Sequence, residues 1–356
     1  MRFLFMVKEG KSMKIGIVGY KNSGKSLLFQ WLTGEKADPA MAHTLQSAMT
    51  PIPESRIAEL CGIYKPKKVT YASVEIVDTP GLSRDQVGNA ARLAQLREVG
   101  CLICVVPAFE TADPEKEIRT FHEDLILADL ELVSNRVERI REQKKRPLAK
   151  ADQEKLAFEL ETLEMVQNAL ESGKPLREDE LTPEQQKATR AFRLLSEKPR
   201  LLFFNAADDE TDFAPFQKFA TETCPVLAAS VRLENELMEM TDGEKTAFLD
   251  EMGLAASDRD AILKAVLSIS GQMLFLTAGE KEVRSWLVRK NGTAVEAAAE
   301  IHTDIAKGFI RAEIMRCEDI VRLGSERAVK AENLIRREPK DYVLQEGDVV
   351  LFHFSG

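Results

Sequence analysis

Residues 19–26 read Gly-Tyr-Lys-Asn-Ser-Gly-Lys-Ser, and the fold turns on them. Just before, Ile15 to Val18 is a short apolar run rich in β-branched residues, the pattern of a buried strand. Just after, LLFQWL continues as a helix. Strand, glycine turn and helix in that order match the phosphate-loop pattern in full. The glycines let the backbone wrap so that successive N–H groups converge, and the helix N-terminus adds the positive end of its dipole. The backbone of Asn22, Ser23, Gly24, Lys25, Ser26 and Leu27 is therefore expected to cradle phosphates. Lys25, on what reads as an exposed loop, is expected to reach the β- and γ-phosphates, and the Ser26 hydroxyl to hold Mg²⁺. A glycine turn without a ligand is the bland alternative, and the flanking strand and helix argue against it.

Further along, VEIVDTPG (74–81) delivers Asp78 to the end of a strand and then turns through Pro80 and Gly81. Asp78 is suited to hold the same Mg²⁺ through water, and the Gly81 N–H to meet a γ-phosphate, so the turn can sense that phosphate. D-x-x-G alone is common. Downstream of a phosphate loop it indicates a switch-type nucleoside triphosphatase. Residues 201–210, LLFFNAADDE, then read as a later strand ending in Asn205, Ala206 and Asp208 where such proteins carry N-K-x-D. Asn205 is expected to tie the base and phosphate loops together or to meet the purine edge. Ala206 cannot cover the base as lysine would, while Asp208 can accept two guanine N–H groups if it points inward. If Asp208 turns outward beside Asp209 and Glu210, nothing rejects adenine. A following strand, Pro225 to Ala229, leads to Ser230, Val231 and Arg232, whose backbone is placed to approach the six-position of the base.

The remaining composition sets bounds. The chain has 356 residues, 44% hydrophobic and 30% charged, an ordinary globular balance with room for two or three domains. A net charge of −9 argues against a generally basic, nucleic-acid-coating surface. Cys101 and Cys104 form a C-x-x-C, but inside the apolar run CLICVV, so they read as buried thiols and not metal ligands. Free cysteines fit a reducing cytosol. The opening MRFLFMVKEGKS is too short in apolar residues for a signal peptide or a membrane span, and Met13 is a candidate start. From Phe121 to Ser196, apolar residues recur at helical spacing on both sides of the basic turn QKKRPLAKAD, which predicts an antiparallel helical coiled-coil hairpin. Its apolar stripe is core, and its basic tip is either a solvated turn or an RNA or protein contact. At the C-terminal end, Val349 to Phe354 is a strand after a Gly-Asp turn.

The chain resembles the Obg-related YchF group of P-loop NTPases. The resemblance is carried by PIPESRIAEL with KPKK, by VDTPGL, LREVG, DLILADLE and KPRLLFFN, and by the long run FLTAGEKEVRSWLVRKNGTAVEAAAEIHTDIAKGFIRAEI. It implies an α/β P-loop NTPase domain over 13–120 and 197–276, with a mostly parallel sheet flanked by helices. It also implies a helical insertion over 121–196 and a C-terminal β-grasp (TGS) domain over 277–356. The family replaces N-K-x-D with N-x-x-E and favours ATP over GTP; ATP or GTP with Mg²⁺ is the implied ligand. Ribosome or RNA contact through the TGS domain and hairpin is implied too, for a cytoplasmic protein expected to be monomeric. Asp208 stands where the family has glutamate. The switch I segment is here PAMAHTLQ, with Thr44 the leading candidate to close on Mg²⁺, Thr50 second, and His43 a further residue of interest. The loop PAFETADPE around Thr111 lacks the family's histidine, and Leu82 follows Gly81 where small GTPases place a water-orienting glutamine. Both departures favour slow turnover. Lys25, Ser26 and Asp78 together keep hydrolysis possible, so the expected function is an NTPase switch that hydrolyses ATP, and GTP beside it, slowly; the alternative is a nucleotide-sensing adaptor or GTP-specific switch with little hydrolysis.

Overall fold

The structure, a computed structural model, describes residues 13–41, 44–84, 88–109, 112–147, 149–174 and 180–355. His43 and Thr111 lie outside them. The chain divides into two compact units, one formed by Lys14–Ala48 with Ile76–Ser257, the other by Met49–Glu75 with the chain from Asp258 onward.

In chain order the strands up to residue 229 are β1 (Lys14–Val18), β2 (Gln46–Pro51), β3 (Val69–Thr70), β4 (Ser73–Asp78), β5 (Cys101–Ala108), β6 (Arg200–Ala206) and β7 (Val226–Ala229). All but β3 form one sheet in the order β2-β4-β1-β5-β6-β7. β1 with β5, β5 with β6, and β6 with β7 are parallel pairs, in register Ile15 with Cys101, Leu102 with Arg200 and Leu202 with Val226. β5 is buried along nearly its whole length, as its unbroken apolar sequence dictates for a central parallel strand. Cys101 and Cys104 are free and buried within it. The chain leaves β1 toward β2 and β4 on one side and leaves β5 toward β6 and β7 on the other, so the topological switch point lies at the carboxyl ends of β1 and β5.

The helices of this half are α1 (Lys25–Thr33), α3 (Asn89–Gln95), α4 (Pro114–Lys144), α5 (Lys150–Glu171), α6 (Pro183–Thr189), α7 (Val231–Met238) and α8 (Asp242–Met252), while α2 (Ser55–Tyr64) falls in the other unit. α4 begins seven residues before the expected start at Phe121. Pro114 occupies its first turn, and the Asp113 side chain caps it by accepting from Lys116 N–H at 3.1 Å. Together they outweigh the absence of an apolar stripe there. α4 and α5 pack through Val133, Val137, Ile140, Leu163, Val166 and Leu170, and Arg136 pairs with Glu159 through two hydrogen bonds of 2.8 and 3.0 Å.

The second unit holds β3 with β8 (Gln272–Thr277), β9 (Val283–Arg289), β10 (Phe309–Arg316), β11 (Arg336–Glu338) and β12 (Asp348–Phe354) in a six-stranded mixed sheet, order β11-β10-β12-β8-β9-β3. Its helices are α9 (Arg259–Ile269), α10 (Ala294–Ile301), α11 (Thr303–Lys307), α12 (Cys317–Leu323) and α13 (Glu326–Ala331). One apolar cluster gathers Phe275, Ala294, Ala297, Ile314 and Val350; another gathers Leu276, Val283, Met315 and Val349 with Ile57 and Leu60 of α2. The expected boundaries at 13–120 and 276/277 are corrected here. Residues 49–75 belong with the C-terminal unit because β3 pairs with β9, Val69 opposite Val283, and α2 buries its apolar face there. α9 and β8 join the same unit, which therefore starts before residue 277.

Candidate functional site

The turn between β1 and α1 needs backbone shapes that only a few residues supply. Asn22 sits at φ 64°, a left-handed conformation asparagine tolerates, and Gly24 at φ 98°. A Cβ on Gly24 would stand 2.3 Å from Asn205 Nδ2, so glycine is required there twice over. The N-terminus of α1 has no side-chain cap and no acid in its first turn, which leaves its dipole end uncompensated.

Lys25 opens α1 and folds back, its Nζ donating to the Tyr20 carbonyl at 2.8 Å. It is only 7% exposed, so the expectation of an exposed loop is corrected: wrapping of the turn encloses the side chain. Burial pushes the ammonium down to about 8, with Asp78 opposing that shift. Ser26 Oγ donates to Asp78 Oδ2 at 2.7 Å, which joins the two residues expected at Mg²⁺. Burial raises the Asp78 pKa, opposed by the Ser26 hydroxyl and the Lys25 charge. Ser23 Oγ and Asp78 Oδ1 are both buried without a hydrogen-bond partner in the protein. Buried polar atoms left open in this way are what a site for a phosphate and a cation requires, and the oxygen donor set suits Mg²⁺.

The D-T-P-G turn is fastened to the phosphate loop. Lys21 N–H donates to the Leu82 carbonyl and Leu82 N–H to the Gly19 carbonyl, both at 3.0 Å. Gly81 lies so close to Lys21 that a Cβ would meet its Cα at 3.1 Å. Leu82 is 1% exposed and packs in the apolar core with Val18, Leu93 and Leu125. Thr44 stands apart: it is exposed, and its hydroxyl donates to the Met41 carbonyl at 2.9 Å. Thr50 is buried in β2.

At the base end, Asn205 is buried with both ends of its amide engaged. Nδ2 donates to the Ser23 carbonyl at 3.0 Å, and Oδ1 accepts from Val231 N–H at 3.2 Å. It ties the phosphate loop to the base loop, the first of its two expected roles. Ala206 is buried at the end of β6. Asp208 is engaged on both oxygens. One of its oxygens accepts from Ser230 Oγ and the other lies 3.0 Å from Arg232 Nε. Ser230 also caps α7 through Leu233 N–H. Leu27 is partly exposed, and its carbonyl accepts from Asn235 Nδ2 at 2.9 Å, linking α1 to α7. Asn235 and its neighbour Glu234 are both buried polar residues of α7, and no motif marks Asn235 in the sequence.

A phosphate loop at the switch point of this sheet, with a lysine, a serine and an aspartate drawn together, defines a P-loop nucleoside-triphosphate hydrolase. A family model described as "50S ribosome-binding GTPase" matches residues 14–136, and one described as the C-terminal part of YchF GTPases, a protein of unknown function, matches 273–355. The "Ribosome-binding ATPase YchF" of Bacillus subtilis is 34% identical over 97% of this chain and 100% of its own. "Obg-like ATPase 1" of Oryza sativa subsp. japonica is 33% identical over 96% and 92%. The solved structure of the Schizosaccharomyces pombe YchF GTPase superposes with a TM-score of 0.82 at 26% identity, covering 97% of this chain and 98% of that one. The chain belongs to the YchF/Obg-like ATPase family. Among the described residues, no helix is long and apolar enough to cross a membrane.

Proposed function

We propose that this protein is a Mg²⁺-dependent purine-nucleotide switch that hydrolyses ATP, and GTP beside it, at a slow intrinsic rate. The observation that carries this is the cluster of Lys25, Ser26 and Asp78 with two buried oxygens, on Ser23 and Asp78, left open beside it. Ser26 and Asp78 would hold Mg²⁺, Lys25 would meet the β- and γ-phosphates, and the backbone of residues 22–27 would surround them. Bound Mg²⁺ would neutralise charge on the phosphate oxygens. Leu82, turned into the core, leaves the water-orienting position without a polar group, which supports slow turnover.

The nucleotide choice follows from Asp208. A carboxylate already shared between Ser230 and Arg232 is a poor guanine reader, and Ala206 offers the base no cover. ATP and GTP dissociation constants are expected within about 30-fold of each other, roughly 2 kcal/mol, with ATP the tighter ligand. Single-turnover hydrolysis and competition titrations with both nucleotides, with and without Mg²⁺, test this. A GTP preference above about a thousandfold would make the protein a GTPase of the ordinary kind. Ribosome contact rests on the relatives named ribosome-binding; the α4–α5 hairpin and the C-terminal sheet are the candidate surfaces, in a cytosolic setting. Co-sedimentation with ribosomes in ATP and in its absence is the check.

A further inference from the structure

Tyr20 lies inside the phosphate loop, and two of its atoms point to different places. Its carbonyl holds the Lys25 ammonium. Its hydroxyl donates at 2.8 Å to Asp124 Oδ2 on the long helix α4. The same Asp124 oxygen accepts from Asn89 Nδ2 at 3.0 Å. Asn89 in turn clamps the backbone of Ser83, donating to its carbonyl at 2.9 Å and accepting from its N–H at 2.8 Å. Ser83 follows Leu82, the residue bridged to Gly19 and Lys21 of the phosphate loop. One buried carboxylate oxygen is thus the meeting point of the phosphate loop, the segment after the D-T-P-G turn, and α4.

Tyr20, Asn89 and Asp124 are each less than 5% exposed, and burial raises the pKa of both Asp124 and Tyr20. A buried carboxylate needs its donors, so the node is stable when both are present and unfavourable when either is displaced. A second link, Arg84 to Glu117 of α4 at 2.7 Å, is half exposed and contributes less. α4 continues from this node into the helical pair with α5.

From this geometry we infer that Asp124 couples the nucleotide site to the helical hairpin: movement of the D-T-P-G turn or of Tyr20 on nucleotide binding is passed to α4 through this node. Asp124 is a positioning residue, and the inference rests on the nucleotide-switch reading above. The test is hydrogen exchange of α4 amides in the full-length protein with and without a non-hydrolysable Mg–ATP analogue, alongside calorimetry of its binding. In the wild type, binding is expected to change exchange in the first turns of α4 at least about fivefold. Tyr20→Phe removes only the hydroxyl and keeps the packed ring. It should lose the α4 response. Asp124→Ala, on α4 and outside the phosphate loop, removes the shared acceptor; it should lose the response equally while holding analogue affinity within about fivefold, and the double variant should be no worse than either single one. A wild-type α4 that ignores a bound nucleotide, or a response that survives Tyr20→Phe, overturns the coupling. Loss of binding in Asp124→Ala overturns it too, since the carboxylate would then belong to the binding machinery. Failure of the wild type to bind any nucleotide, seen by calorimetry alone, would bring down the underlying function as well.

Discussion

The Lys25 ammonium sits against the Tyr20 carbonyl in the field of Asp78, and burial draws its pKa from 10.5 to about 8. The protonated form is the one that can meet a phosphate. Because the folded value lies below the ordinary one, the free protein loses that proton as pH rises through about 8, and binding must recapture it. The dissociation constant for Mg–nucleotide should therefore rise up to about tenfold between pH 8 and 9, measurable by calorimetry across that range. Lys25→Ala should abolish tight binding. It should not destabilise the fold, because a buried lysine with a lowered pKa costs stability in its charged form, so the melting temperature should hold or rise. Arg232 makes a separate residue-scale case. Its removal frees one Asp208 oxygen from its cation, so Arg232→Ala should tighten GTP relative to ATP by about three- to tenfold in competition titrations. An unchanged ratio would mean that Asp208 has no route to the base.

At the scale of elements, the phosphate loop is held from two sides: by Asn205 at the end of β6 and by the bridge to Leu82 after β4. The loop and its helix were legible in the sequence because their signal is local, a strand, two glycines and a helix within a single stretch. Asn205 was legible by its place at the end of a strand, though not the commitment of both ends of its amide to loop tethering. The contact of Tyr20 with Asp124 was not, since 104 positions separate them and neither the phosphate-loop pattern nor DLILADLE says that they meet. The start of α4 was present in ADPE as a cap and a proline, but its first turns lack the apolar period that marks the rest. Leu82 gives the element-scale test. It is a core side chain on a bridging backbone, so Leu82→Ala should cost about 2–5 kcal/mol of stability. Turnover per folded molecule should change less than about tenfold. Chemical denaturation gives the first quantity and single-turnover kinetics the second; a thousandfold fall in rate would assign Leu82 a direct part in the chemistry.

The whole molecule is built as one unit interrupted by part of another. Residues 49–75 leave the nucleotide-binding half and supply β3 and α2 to the C-terminal unit, where Ile57 and Leu60 sit with Val283 and Met315. No sequence pattern announces this, because pairing of Val69 with Val283 is decided by packing between distant segments. A chain ended at Ser257 would keep α2 with its apolar face uncovered. It should aggregate or elute as large species in size-exclusion chromatography, where a clean monomer would show that residues 49–75 find cover elsewhere.

The same interruption orders events during synthesis. Thr70 is hydrogen-bonded to Glu282, 212 positions later, so β3 and α2 leave the ribosome long before β9 exists. At about 5–20 residues per second, that wait lasts roughly 10–40 s. For that interval the nascent chain carries a helix whose apolar face, Ile57 and Leu60, has no partner, while the rest of the nucleotide-binding half is synthesised. Closure of the C-terminal sheet is then the last long-range step. This segment is accordingly where a chaperone would find the unfinished protein.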